Sequence, residues 1–134
     1  MRATSVGVLM MVATSTLTMS CGRHAYSREH LTEEVAKHHI DLRWGRLGNA
    51  ALRVKPELRS AFIQAWSLRL QGIELQDMDV LDVAQVDDDT IDVLVSVTYV
   101  DKVSMAVRTV QFPERWLRTD QNWQLGSVGE LPAG

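Results

Sequence analysis

The spacing of apolar positions changes character three times along the chain. From Val6 to Met19 the residues are apolar or small and carry no charge (VGVLMMVATSTLTM). Residues 22–28 (GRHAYSR) are polar and predict a short tether. Leu31, Val35, His38 or His39, and Leu42 then recur at spacings of three and four, the period of an amphipathic helix. Thr32 with Glu33 and Glu34 places acidic groups in its first turn, where the helix dipole favours them. Gly45 and Gly48 interrupt this helix, and a short second one is expected from Leu47 to Leu52. Pro56 suits the first position of a third helix, because the hydrogen-bond donor it lacks would be unpaired there anyway. Leu58, Phe62, Ala65, Trp66 and Leu70 make its apolar stripe, and Gly72 offers a left-handed stop.

Beyond Gly72 the period falls to two. Ile73 to Val86 predicts a long strand whose alternation slips near Met78, the signature of a bulge. Asp87-Asp88-Asp89 reads as a turn, after which Ile91, Val93, Val95, Val97 and Tyr99 alternate with polar residues. Val103, Met105 and Val107 are expected to open a third strand running toward Trp116. Gln121-Asn122 predicts a turn before a short strand holding Trp123 and Leu125. Helices followed by hairpin-linked strands is an α+β order: N-terminal helices packed on a curved antiparallel sheet of three to four strands. The organisation expected is a signal peptide over 1–20, a lipidated tether over 21–28, a single α+β domain over 29–128 and a flexible tail over 129–134.

The leading apolar run changes what the rest of the sequence can mean. Arg2 and the amino terminus supply a positive start. The fourteen residues from Val6 to Met19 would span about 21 Å as a helix, short of the roughly 30 Å hydrocarbon core of a bilayer. A short apolar run ending in small residues reads as a cleavable export signal. It ends in Leu17-Thr18-Met19-Ser20-Cys21-Gly22, which resembles the lipobox of bacterial lipoproteins. That resemblance implies that signal peptidase recognises Leu17, Thr18, Met19 and Ser20 and cuts before Cys21, whose thiol first accepts a diacylglyceryl group. Leucine usually stands three residues before the cysteine, where this chain has Thr18. More than one acyl chain gives firm anchoring, at about 0.8 kcal/mol per buried methylene. Gly22 follows the cysteine, where aspartate would signal inner-membrane retention, so the expected location is the outer membrane, facing the periplasm. An ordinary signal peptide with Cys21 incidental, and a cytosolic protein with a buried N-terminal helix, are the competing readings.

Composition narrows the partners. The chain has 134 residues, one cysteine and a formal charge of −3. Without Arg2 the exported part has 13 basic against 17 acidic side chains. Mild acidity gives no basic stripe for nucleic acid and no electrostatic pull toward anionic lipid. A single cysteine leaves no disulfide framework, so the core must hold by packing.

No residue cluster in the sequence specifies a reaction. His38 and His39 point about 100° apart on a helix and cannot both ligate one ion, and Glu34 adds at most one more ligand; helix surface, or a hydrogen-bonded histidine at the helix–sheet seam, is the plainer reading. Asp77, Asp79 and Asp82 suit either acid–base work, if one is buried, or an edge strand whose charges deter association. Asp87-Asp88-Asp89 lacks the spacing of a calcium loop. Trp44, Trp66, Trp116 and Trp123 suit a core, or the wall of an apolar cavity in which Trp66, Tyr99 and Trp116 are the expected lining. Neither a catalytic set, a metal site nor a cofactor is expected.

Leu42-Arg43-Trp44-Gly45, Pro56-Glu57-Leu58-Arg59, the valine-rich hairpin, and Arg115-Trp116 with Trp123 together resemble small proteobacterial lipoproteins with a cystatin-like cone. These are related to the nuclear transport factor 2 (NTF2)-like superfamily, and the likeness covers roughly residues 30–126. It implies a cone of helices on a curved sheet, without the acid–base residues that the superfamily's enzymes carry there. The functional expectation is a membrane-anchored, non-catalytic subunit contacting an envelope protein partner. A small-molecule-binding, or isomerase-type, cone is the alternative, and a homodimer through the open sheet face is a further expectation.

Overall fold

In a computed structural model, residues 22–120, 122–129 and 131 are described, with side chains from Arg28 onward. Leu17, Thr18, Met19, Ser20 and Cys21 lie outside the described residues. Helix α1 spans Gly22–Arg43, α2 Leu47–Ala51 and α3 Arg59–Gly72, the last preceded by a 3-10 turn over Pro56–Leu58. Strands β1 (Ile73–Asp87), β2 (Thr90–Asp101), β3 (Val107–Arg118) and β4 (Trp123–Leu125) form one antiparallel sheet in sequential order. The fold is therefore the α+β arrangement the periodicities predict. Among the described residues no helix is long and apolar enough to cross a membrane.

The end of α1 shows how sequence sets geometry. Gly45 adopts φ +69°, the left-handed region where a side chain would be strained. With it in place, Gly45 N–H donates to Leu42 O at 3.0 Å and Arg46 N–H to Asp41 O at 2.7 Å, a Schellman cap that pairs two orphan carbonyls. The chain then turns through α2 and pairs Val54 with Leu125 beside β4, so the β4 edge of the sheet is covered. The β1 edge is not.

The inner face of the sheet follows strict parity. Ile91, Val93, Val95, Val97 and Tyr99 are buried on β2 while their neighbours are half-exposed. Through the register, Trp116, Glu114 and Phe112 of β3 and Val83 and Val80 of β1 share that face. The helices meet it with Leu31, Val35, Leu42, Phe62 and Trp66, all buried. On β1 the register slips at three places, between Leu75 and Asp77, Val80 and Asp82, and Gln85 and Asp87. Two of these bulges flank Met78, where the sequence predicts one.

Several expectations are corrected. Residues 22–28, expected as a tether, continue α1 in helical form. Gly72 is not left-handed: it ends α3 and the chain passes directly into extended Ile73. The helix end is satisfied instead from the β2–β3 turn, where Lys102 donates its N–H to Gly72 O and its Nζ to Leu70 O. Val103 and Met105 belong to that turn rather than to a strand. The Asp101 carboxylate accepts from Val103 N–H at 2.8 Å and Ser104 N–H at 3.1 Å, and Met105 sits at φ 61°. This local side-chain hydrogen bonding outcompetes the ladder. The tail is packed further than expected, since Gly129 is buried against Trp66 and Phe112 and Leu131 packs on the core.

Phe62 is fully buried, whereas Val103 is 92% exposed. Urea denaturation should therefore show Phe62→Ala costing about 3–5 kcal/mol, and Val103→Ala less than about 0.5 kcal/mol.

Candidate functional site

The helical layer does not cover the inner face of the sheet completely. Val93 and Val95 of β2 are buried, but Val80 and Val83, beside them on β1, remain about half-exposed. Between α1 and β1 lies a groove of about 290 Å³. Leu31, Val35 and Ile40 line it from the helix and Met78, Val80 and Val83 from the strand. Its polar groups are few: Thr32, His39, Arg43 and Asp77. A mostly apolar concavity with a few polar side chains is the usual make-up of a small-molecule site.

His39 connects the groove to a buried polar cluster. Its Nε2 lies 2.8 Å from Glu114 Oε1, and Trp116 Nε1–H donates to Glu114 Oε2 at 3.0 Å. Glu114 is 1% exposed. Burial pushes its carboxyl up, but the hydrogen bonds from His39 and Trp116 help to offset this, and it is held below its ordinary value. An ionised Glu114 accepts only, so His39 Nε2 carries the donated proton. His39 Nδ1 makes no hydrogen bond among the described residues. This is the carboxylate–imidazole geometry that orients a histidine for proton transfer.

His38 has a different task. It is fully buried, with its ring 5.5 Å from that of Phe62 and 5.6 Å from that of Trp116, edge to face. Nδ1 lies 3.1 Å from Ala50 O, which can only accept, so Nδ1 holds the proton. Nε2 is buried without a partner. Burial lowers the pKa of His38 from 6.5 to about 4, so the ring is neutral near pH 7. The rotation of α1 is fixed outside this cluster by ion pairs: Arg53 to Glu34 at 3.2 Å and to Asp41 at 2.8 Å, and Arg46 to Asp41 at 2.8 Å.

Sequence reasoning located some of this. A hydrogen-bonded histidine at the helix–sheet seam is what both His38 and His39 are. Glu114 was missed. Its signal is parity: it stands between Phe112 and Trp116 at positions that alternate inward on β3. The expected cavity lining is corrected, because Trp66 and Trp116 are core, Tyr99 is buried, and none of the three lines this groove. Trp44 is on the surface, 70% exposed. Asp77, Asp79 and Asp82 are exposed on the edge strand, with only Asp77 reaching the groove.

No protein-family model matches the sequence, and no curated protein sequence matches it. Solved structures do share the fold. A protein of unknown function from Mycobacterium tuberculosis superposes with a TM-score of 0.60 at 9% identity, over 78% of this chain and 70% of its own. A putative polyketide cyclase from Xanthomonas campestris pv. campestris gives 0.56 at 12% identity, over 75% and 90%. Aln2 from a Streptomyces species gives 0.53 at 17%, over 73% and 84%. At such identities the likeness is one of fold.

His38 sets a pH dependence. The unfolded chain binds its proton below about pH 6.5, the folded chain only near 4, so stability falls as pH drops through that window. The loss should be about 3 kcal/mol by chemical denaturation at pH 7 and pH 4, and His38→Phe should flatten that part of the profile.

Proposed function

We propose that this protein is a small-molecule-binding domain whose ligand lies in the groove between α1 and β1. The observation that carries this reading is a mostly apolar groove with one buried, oriented histidine, His39, in its wall. Titration of the 15N-labelled protein with benzene or xenon should shift amide signals of residues 31–43 of α1 and 77–83 of β1. Shifts confined elsewhere, or none, would refute it.

A second reading is favoured by one specific contact. With Nε2 committed to Glu114, His39 Nδ1 can take a proton from, or return it to, a bound guest, as isomerase-type chemistry requires. One fold neighbour is described as a putative polyketide cyclase. That description, together with a buried carboxylate–histidine pair, supports looking for proton exchange in ligands that carry an acidic C–H.

We also propose that the domain is held at the outer membrane, facing the periplasm, by lipid on Cys21. The support is the sequence from Leu17 to Cys21. In a bacterial host, Cys21→Ser should leave the precursor uncut or release the domain from the membrane fraction, read by labelled-palmitate incorporation and fractionation. An envelope protein partner, and a homodimer through the open sheet face, belong to the same proposal.

A further inference from the structure

We propose that a second copy of this chain covers the open side of the groove. In such a pair Arg43 of each copy meets Asp77 of the other, and the exposed stripe of each α1 lies over the other's β1. This goes beyond ligand binding and does not depend on it.

The surface is apolar on both walls. On α1, Ala36, Ile40 and Trp44 recur at steps of four, so they form one stripe on the groove side of the helix. Trp44 keeps the helical spacing, since its N–H donates to Ile40 O at 3.1 Å. Ile40 is half-exposed and Trp44 more so, whereas Trp66, Trp116 and Trp123 are all buried. Across the opening, Val80 and Val83 of β1 are half-exposed as well. A large aromatic side chain beside an apolar cleft is the kind of anchor on which protein interfaces depend.

The charges select the partner. Arg43 and Asp77 stand at one end of the groove on opposite walls; at its other end α1 meets β1, where Arg28 donates to Gln85 at 3.2 Å. Among the described residues the Arg43 guanidinium makes no ion pair or hydrogen bond, and the Asp77 carboxylate accepts only from the adjacent Met78 N–H. Each copy therefore holds an unanswered cation and an unanswered anion at one height on facing walls. A two-fold axis running along the groove exchanges the walls and keeps the height. It brings Arg43 onto Asp77 twice, and it lays Ile40 and Trp44 of one copy on Met78 and Val80 of the other. A two-fold interface must be self-complementary in this sense. A partner carrying charge of one sign there would attract one of these groups and repel the other. The contact is made by side chains across the opening rather than by backbone pairing, so the bulges of β1 do not oppose it. The open sheet face stays free.

The test is sedimentation velocity and tryptophan emission of the full chain along a dilution series. The native sequence should pass from dimer to monomer on dilution. Its emission should move to the red as Trp44 meets water, and Trp44→Phe should remove that movement. Arg43→Asp and Asp77→Arg should each weaken the dimer at least about tenfold, and the two together should restore it, because the exchanged charges meet again. All three positions are exposed, so the urea midpoint of the dilute monomer should stay the same in each variant. A chain monomeric at every concentration, a dimer indifferent to these changes, or a double variant no better than the single ones would overturn the proposal. Amide shifts with benzene or xenon, read on the Arg43→Asp protein, answer the separate question of the ligand. Shifts in residues 31–43 and 77–83 keep the groove a binding site where pairing fails, and their absence removes that function where pairing holds.

Discussion

The carboxylate of Glu114 is the group around which the rest of the molecule is arranged. It sits on the inner face of β3, almost entirely out of water. An ionised carboxylate in that position costs several kcal/mol unless donors reach it. Both oxygens are met, one by Trp116 from the same strand and the other by His39 from α1. The first donor comes with the pleat, because residues two apart share a face. The second requires α1 to cross the sheet at one height and one rotation. The Schellman cap at Gly45 and the Arg53–Asp41–Arg46 ion pairs then secure the same rotation from the other side of the helix.

The groove adjoins that contact. α1 meets β3 through His39 and also packs against β1, but among the described residues nothing closes over the inward valines of that strand. Hence the inner valines of β2 are buried while Val80 and Val83, their register partners, are only half-covered. Apolar area left exposed on an edge strand invites association with other strands. β1 counters this with three bulges and with Asp77, Asp79 and Asp82, which break the flat ladder a second strand would need. The acids of β1 thus fit the edge reading of the sequence rather than the acid–base one.

How much of this was legible depended on whether a residue's surroundings were local. The elements and their order were readable, because 3.6- and 2-residue periods report burial directly: Leu31, Val35 and Leu42 on one helix, and Ile91 to Tyr99 on one strand. The Met78 slip was readable for the same reason. The end of α3 was not, since Gly72 is satisfied by Lys102, a residue thirty positions on. Val103 and Met105 misled by alternating in a turn that Asp101 organises. The histidines were visible as seam residues, but Glu114 became meaningful only when the register brought β3 under α1. Its inward parity between Phe112 and Trp116 was a signal that the Arg115 and Arg118 charges around it obscured.

The two adjacent histidines show how the partners of a buried ring assign its role. They share a helix turn and similar accessibility, yet they differ in what their ring nitrogens meet. His38 meets a carbonyl and aromatic rings, and its burial keeps it neutral, a packing residue with one unsatisfied nitrogen. His39 meets a carboxylate at Nε2 and lines the groove. A rotation of α1 that carried His39 away from β3 would leave Glu114 Oε1 without its donor, with Trp116 meeting only Oε2. A buried anion without its partner is far costlier than a buried lone pair. The helix therefore has one acceptable rotation, and in that rotation the imidazole oriented by Glu114 is the one that lines the groove.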